Sequence, residues 1–277
     1  MTTRVAIASG KGGTGKTLVA TNLASIAGDR VLVDLDVEEP NCHVFFQGQG
    51  APPKPVFRPV PSVDMDRCNL CGECARFCEF HALAVLPKQV MVFDALCHSC
   101  GGCALFCPQD AIVEKDHLVG DIERVEMGSI VLLYGRMKVG EASAVPLIKA
   151  VKKELGDAQA LVDCPPGTAC TAVESIRDSD LCVLVTEPTP FGLHDLKLAL
   201  ELTKKLGVRS TVFINKDGLP GPDIRAFCAE SGVPVVGALP HDRAIAEIYS
   251  RGDLLTDGVH RSTFESTWKT VKEMMGE

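Results

Sequence analysis

Short β-branched runs alternate with longer stretches of helical period along most of the chain. The runs Arg4 to Ser9, Val31 to Leu35, Ile130 to Tyr134 and Ala160 to Asp163 read as buried strands, as do Leu181 to Thr186, Thr211 to Asn215 and Val235 to Leu239. Helical spacing fills the intervals, clearly over 16–27 and 144–155. A final amphipathic stretch at 263–275 carries Phe264, Trp268 and Val271 on one face. This alternation predicts an α/β fold, a doubly wound and mostly parallel sheet.

The pattern breaks once. Residues 51–62 hold Pro52, Pro53, Pro55, Pro59 and Pro61 and read as an extended, non-helical linker. Eight cysteines follow between Cys68 and Cys107 before the α/β pattern resumes. One domain is therefore expected to interrupt another. The larger takes residues 1–50 and 126–277, and the smaller, of α+β type, takes 60–118.

Composition narrows the partners. A hydrophobic content of 46% supplies a core, and a net charge of -8 opposes binding to nucleic acid or anionic lipid. The apolar run at the start is too short for a secretory signal, and no stretch approaches the roughly 18 apolar residues of a membrane helix. A cytoplasmic protein without membrane attachment is expected. Thirteen cysteines in a reducing compartment point to metal ligation before disulfides.

Residues Gly10 to Thr17 match G-x-x-x-x-G-K-[ST] between a strand and a helix. In such a loop Gly10, Gly12, Gly13, Thr14 and Gly15 bring backbone N–H groups onto phosphate oxygens, and the helix N-terminus adds its positive dipole end. Lys16 is expected on the β and γ phosphates and Thr17 on Mg²⁺.

The additional Lys11 makes the loop K-G-G-x-G-K-T. This resembles the deviant phosphate loop of the superfamily that holds Min-type division ATPases, ParA partition ATPases, Mrp-type iron–sulfur carriers and the nitrogenase iron protein. The resemblance implies that Lys11 reaches the nucleotide of a partner subunit, in an ATP-sandwich homodimer or a dimer with a paralogous ATPase. Val31-Leu32-Val33-Asp34-Leu35-Asp36 resembles the strand into switch I, with Asp36 orienting the attacking water and belonging with Thr17 and Asp163 to the Mg²⁺ site. Leu161 to Gly167 resembles switch II, where Asp163 holds Mg²⁺ through water and the Gly167 N–H senses the γ-phosphate. Asn215 resembles the adenine reader, and Pro240 and Asp242 the loop over the base. Lys11, Lys16, Asp36 and Asp163 are the implied catalytic groups.

Cys68-x-x-Cys71-x-x-Cys74-x-x-x-Cys78 recurs 29 residues later as Cys97-x-x-Cys100-x-x-Cys103-x-x-x-Cys107. This is the spacing of bacterial two-cluster ferredoxins, where three close thiolates hold one cubane and the fourth cysteine serves the other. Cluster one is expected on Cys68, Cys71, Cys74 and Cys107, and cluster two on Cys97, Cys100, Cys103 and Cys78. Zinc favours paired C-x-x-C hooks across a loop and suits tandem triplets less well. Pro108 follows Cys107 as this pattern requires, but Glu79 follows Cys78. A carboxylate there bears on the potential of cluster two more than on its assembly.

With the runs Asp36 to Asn41, Tyr134 to Glu141 and Asp163 to Thr168, the chain is similar to MinD-superfamily ATPases that carry an inserted ferredoxin domain. That implies ATP, Mg²⁺ and two [4Fe–4S] clusters as cofactors. ATP-driven electron transfer to a redox or metal-cofactor protein is the leading reading. Cluster delivery and a Min- or ParA-like positioning switch are the alternatives. Of the five remaining cysteines, Cys182 and Cys228 read as core thiols. Cys170, just past switch II, resembles the cysteine by which the nitrogenase iron protein holds a cluster shared between subunits, but the second cysteine such a site needs is not found near Gly135 to Ser143.

Overall fold

The computed structural model describes residues 3–28 and 30–277. Two compact units share the chain. The first comprises the residues up to Pro53, Ile122–Arg136 and Ile148–Glu277; the second comprises Lys54–Asp121 and Met137–Leu147.

In the first unit, strands β1 (Arg4–Ala8), β2 (Val31–Asp34) and β3 (Gln49–Gly50) precede the second unit. The second unit's strands are β4 (Lys54–Val63), β5 (Leu83–Val85) and β6 (Val90–Val92). The long β7 (Ile112–Met127) and β8 (Ile130–Met137) return the chain to the first unit, followed by β9 (Ala160–Asp163), β10 (Leu181–Thr186), β11 (Arg209–Asp217) and β12 (Val235–Pro240). The main sheet runs β12-β11-β10-β1-β9-β2-β8-β7-β3, with β4 also paired to β7. The pairs from β12 to β8 are parallel, and β3 is antiparallel to β7.

Strands β9 and β10 are buried along their whole length, as parallel strands covered on both faces must be, which is why they read as unbroken apolar runs. The helices are α1 (Lys16–Ala27), α2 (Glu73–Phe77), α3 (Gly102–Leu105), α4 (Val145–Leu155), α5 (Cys170–Ile176), α6 (Pro190–Leu206), α7 (Ile224–Glu230), α8 (Arg243–Ser250) and α9 (Arg261–Met275). Helix α1 packs on β1, β2 and β9 and on α9, whose Phe264, Trp268 and Val271 enter the core. Helices α5 and α6 pack on β1, β10 and β11 and on each other. Thr189 caps α6 by accepting the Gly192 N–H at 2.9 Å, with Pro190 in the first turn. Strand β1 lies between β9 and β10, where the strand order reverses, and in such sheets the crevice at the carboxyl ends receives the ligand.

The second unit departs from the linker expected over 51–62. Residues Lys54–Val63 form the ten-residue strand β4. Pro55, Pro59 and Pro61 fall at positions of one parity, so their missing N–H groups all lie on one edge of the strand. The other edge remains free to pair, which is how proline survives at a sheet margin. The second difference is Met137–Leu147, which belongs to this unit although its sequence lies beyond the cysteines. Its tie is the bonding of Glu141 to Arg58 and His117, which no local pattern announces.

The 29-residue repeat is written into the backbone of this unit. Leu70, Gly72 and His81 have positive φ, and so do Ser99, Gly101 and Asp110, each 29 residues on. Phe77 and Phe106 are the matching pair of rings, 4.7 Å apart. The hydrophobic centre is small: Ala82, Leu83, Cys103 and Ile112, surrounded by other cysteines and short side chains.

Candidate functional site

The loop between β1 and α1 supplies the first site. Gly10 lies so close to α6 that a Cβ there would sit 2.3 Å from the Asp195 carbonyl oxygen. Gly13 and Gly15 have φ of 77° and 95°, which side chains resist. Gly12 is exposed. Thr14 is buried and its Oγ1 has no hydrogen-bond partner, an orphaned donor inside the loop. Lys16 and Thr17 open α1 and are buried.

Thr17 Oγ1 donates to Asp163 Oδ2 at 2.7 Å. Asp163 Oδ1, also buried, has no partner. Burial pushes the Asp163 carboxyl up, as does the charge of Asp34, while Lys16 and the Thr17 hydroxyl pull it down. Asp36 is pushed up to about 6 by burial first and by Asp34 second. Crowded carboxylates of this kind are relieved by a divalent cation, so the donor set fits Mg²⁺.

Asp34 is tied to the backbone. Its carboxylate accepts the N–H groups of Asp36, Asn41 and Cys42 at 3.0, 3.0 and 3.1 Å, and thereby shapes the loop that carries Asp36. Cys42, which sequence reasoning left unassigned, is fully buried beside it. Its thiol donates to Asp163 Oδ2 at 3.5 Å. Burial, Asp34 and Asp163 all push this thiol up, so it stays neutral.

Three expectations meet competing bonds. The Gly167 N–H donates to the Ser9 carbonyl at 3.0 Å and is not free for a phosphate in this arrangement. Asn215 Nδ2 donates to the Thr14 carbonyl at 2.8 Å, and its Oδ1 accepts the Lys216 N–H at 3.0 Å. Its amide therefore braces the phosphate loop, with one N–H and one lone pair left for a base. Asp242 caps α8 by accepting the Ala244 N–H at 2.8 Å. Asn215, Pro240 and Asp242 nevertheless line one cavity of about 460 Å³ with Gly13, Gly15 and Tyr249, a size usual for small-molecule sites.

A residue the motifs missed is Glu187, just past the end of β10. Its carboxylate takes Lys11 Nζ at 2.7 Å on one oxygen and Lys216 Nζ at 2.8 Å on the other. Its place at the carboxyl end of a buried central strand is the one signal that could have found it.

The cysteine unit forms the second site, and all thirteen cysteines of the chain are free. One cavity is lined by Cys68, Cys71, Cys74 and Cys107. Another is lined by Cys78, Cys97, Cys100 and Cys103. Backbone N–H groups point at sulfur in both: Ala82 at Cys78 (3.4 Å), Ser99 at Cys97 (3.3 Å) and Ala111 at Cys107 (3.4 Å). The first and last are again one repeat apart. Four cysteines lining each hollow, with N–H groups aimed at three of the eight sulfurs, are a donor set that fits a cubane cluster. His98 stacks on Phe80 at 3.6 Å beside the second cavity. Cys182 and Cys228 are buried, and Cys170 is exposed at the start of α5.

The family described as the CobQ/CobB/MinD/ParA nucleotide binding domain matches residues 5–255. An uncharacterized protein of Methanocaldococcus jannaschii is 30% identical over 223 residues, 78% of this chain and 79% of its own length. A cytosolic Fe-S cluster assembly factor, the Nubp1 homolog of Drosophila yakuba, is 29% identical over 124 residues, 35% of this chain and 39% of its own. Among solved structures, the septum site-determining protein MinD of Pyrococcus horikoshii, complexed with Mg-ADP, aligns with a TM-score of 0.62. Its sequence is 19% identical, and the alignment covers 100% of this chain and 98% of that one, which is a likeness of fold. No helix among the described residues is long and apolar enough to cross a membrane.

Proposed function

Because the chain belongs to the CobQ/CobB/MinD/ParA nucleotide-binding family, we propose that it is an iron–sulfur ATPase that couples Mg-ATP binding and hydrolysis to electron transfer through two [4Fe–4S] clusters. The observation that carries this reading is the sorting of eight cysteines into two cavities, four to each, in a chain that also holds a complete phosphate loop. In this reading an inserted ferredoxin domain, expected at 60–118, interrupts the ATPase domain of 1–50 and 126–277.

At the nucleotide site, Lys16 and the N–H groups of the loop bind the β and γ phosphates. Thr17 and Asp163 hold Mg²⁺, the latter through water, and Asp36 beside them orients the attacking water. Asn215, Pro240 and Asp242 surround the base. Lys11 serves the nucleotide of a second copy or of a paralogous ATPase. In the cysteine unit, Cys68, Cys71, Cys74 and Cys107 hold cluster one, and Cys97, Cys100, Cys103 and Cys78 hold cluster two. The clusters supply one-electron transfer to and from a redox or metal-cofactor protein. Nucleic acid and membrane have no place in this reading, and the protein works in the cytoplasm.

Anaerobic purification tests it directly. About eight irons per chain are expected, with ATP hydrolysis that is slow without a partner. The rate or extent of cluster reduction should differ with and without Mg-ATP. Iron-free protein, or reduction indifferent to nucleotide, overturns the coupling.

The partial match to an Fe-S cluster assembly factor favours one second reading, a carrier that gives a cluster to other proteins. It requires a labile cluster outside the two cysteine cavities, and Cys170 is the exposed cysteine of the first unit. Iron per dimer that is unchanged in Cys170→Ala ends that version.

A further inference from the structure

Arg58 is an unusual residue for its position. It lies on β4 with its side chain 6% exposed, and its partner Glu141 is 4% exposed. A buried ion pair is tolerated only when further hydrogen bonds satisfy both ends. Arg58 Nη1 donates to the Cys97 carbonyl at 2.8 Å and to Ser99 Oγ at 3.3 Å. Nη2 donates to the Asp94 carbonyl at 2.8 Å and to Glu141 Oε2 at 3.1 Å. Glu141 Oε1 is in turn 2.5 Å from His117 Nε2. The guanidinium thus spans the whole loop that delivers Cys97. Ser99, one of the residues it grips, aims its own N–H at the Cys97 sulfur.

Glu141 stands on the chain that follows β8, a few residues after it leaves the first unit. Strand β8 pairs in parallel with β2, with Tyr134 in register with Asp34. Tyr134 also stacks on His43, ring centroids 5.3 Å apart, just past the loop that Asp34 organises beside the nucleotide site. Tyr134 and Arg136 both donate to Glu123, at 2.6 and 2.8 Å, which fixes the end of β8 before the chain leaves it. Seven residues after Tyr134 comes Glu141.

We propose that Arg58 and Glu141 are a positioning pair for cluster two, fastening the Cys97 loop to the segment that leaves β8 and so adjusting that cluster's potential to the state of the nucleotide site. The inference rests on the ATP–electron coupling proposed above and names the residues that transmit it. The physical lever is the hydrogen bond at the Cys97 sulfur. An N–H···S bond stabilises the added electron, so shortening or loosening it raises or lowers the potential. Arg58 holds both the carbonyl of Cys97 and the hydroxyl of Ser99, and a pull on Glu141 changes the geometry of that bond. The connection between the units that it uses is covalent, one unbroken stretch of chain.

The test is an EPR-monitored redox titration of the anaerobic full-length protein, with and without a non-hydrolysable Mg-ATP analogue. In the wild type the midpoint of one cluster moves on nucleotide binding and the other stays. The moving signal is the one altered in Cys78→Ser. In Glu141→Ala, which leaves the Arg58 bonds to the Cys97 and Asp94 carbonyls in place, the shift is lost at full iron content and unchanged nucleotide affinity. Arg58→Met behaves the same way, and Arg58→Lys restores part of the shift. Should Arg58→Met fail to hold iron, Glu141→Ala decides alone. A shift retained in Glu141→Ala, or one carried by cluster one, overturns the inference and leaves the coupling standing. No shift in the wild type removes the inference, and the coupling falls with it only if the rate of reduction is also indifferent to nucleotide.

Discussion

Lys11 is ion-paired to Glu187 at 2.7 Å, within its own chain. The lysine that the family resemblance assigns to a partner's nucleotide is thus held at home by a carboxylate that is itself shared with Lys216 at 2.8 Å. To cross to a second copy, Lys11 must leave this pair.

Glu187→Gln is therefore expected to favour the dimer. The pair is partly exposed on the lysine side, so its worth is roughly 1 kcal/mol. Removing it should tighten self-association in a non-hydrolysable Mg-ATP analogue about 5-fold. Sedimentation equilibrium of wild type and variant measures this. Association that is unchanged or weaker would show that Glu187 does not restrain Lys11.

The same pair has a pH signature. Burial pushes Glu187 up, but the bonds to Lys11 and Lys216 outweigh it and hold the carboxyl below its ordinary value of 4.5. A carboxylate depressed by folding stabilises the native state above its unfolded value and loses that contribution as pH falls through the folded one. The stability difference between nucleotide-free wild type and Glu187→Gln should stay constant from neutrality down to the ordinary carboxylate range and vanish below it. Chemical denaturation at a series of pH values reads this, and a difference that persists in strong acid contradicts the pairing.

What could be read from the chain divides by the range of the interaction. Strands such as Leu181–Thr186 were legible because burial on both faces leaves an unbroken apolar run. The phosphate loop and the cysteine sets are local patterns in which spacing fixes geometry. Strand β4 was masked because proline usually ends a strand, and only its pairing with β7 shows that one edge remains usable. The bonds of Gly167 to Ser9, of Asn215 to Thr14 and of Glu187 to Lys11 join residues far apart in sequence, and no periodicity encodes them. The place of Met137–Leu147 in the second unit depends in the same way on Arg58 meeting Glu141.

The crossing of the fourth ligands yields a pair of opposite outcomes. Cys78 lines the cavity of Cys97, Cys100 and Cys103, although it follows Cys74 in sequence. Cys107 lines the cavity of Cys68, Cys71 and Cys74. Cys78→Ala should therefore damage the cluster of the second triplet and Cys107→Ala that of the first. Each variant loses up to half of about eight irons, and their EPR spectra should be complementary. If the spectrum of Cys78→Ala matches that of Cys71→Ala, and that of Cys107→Ala matches Cys100→Ala, each run of four cysteines holds its own cluster instead.

The two-fold repeat of the cysteine unit sets the last expectation. Where the first half has Glu73 at the start of α2, the second half has Gly102 at the start of α3. A Cβ built on Gly102 would lie 2.0 Å from Cε1 of Phe77, whose ring packs against Phe106 across the repeat. Gly102 has an ordinary φ, so contact and not backbone strain demands the glycine. In Gly102→Ala the Phe77 ring must swing outward and give up its partner, at about 1–3 kcal/mol for an overpacked contact. Phe77 also lines the cavity of Cys78, Cys97, Cys100 and Cys103. The cluster proposed there should therefore be lost first on exposure to air, as its EPR signal reports, while ATP binding at the phosphate loop is unchanged. If the double variant Gly102→Ala/Phe77→Leu, which shortens the obstructing ring, recovers wild-type air stability, the contact is the cause; if it does not, the role of Gly102 lies elsewhere.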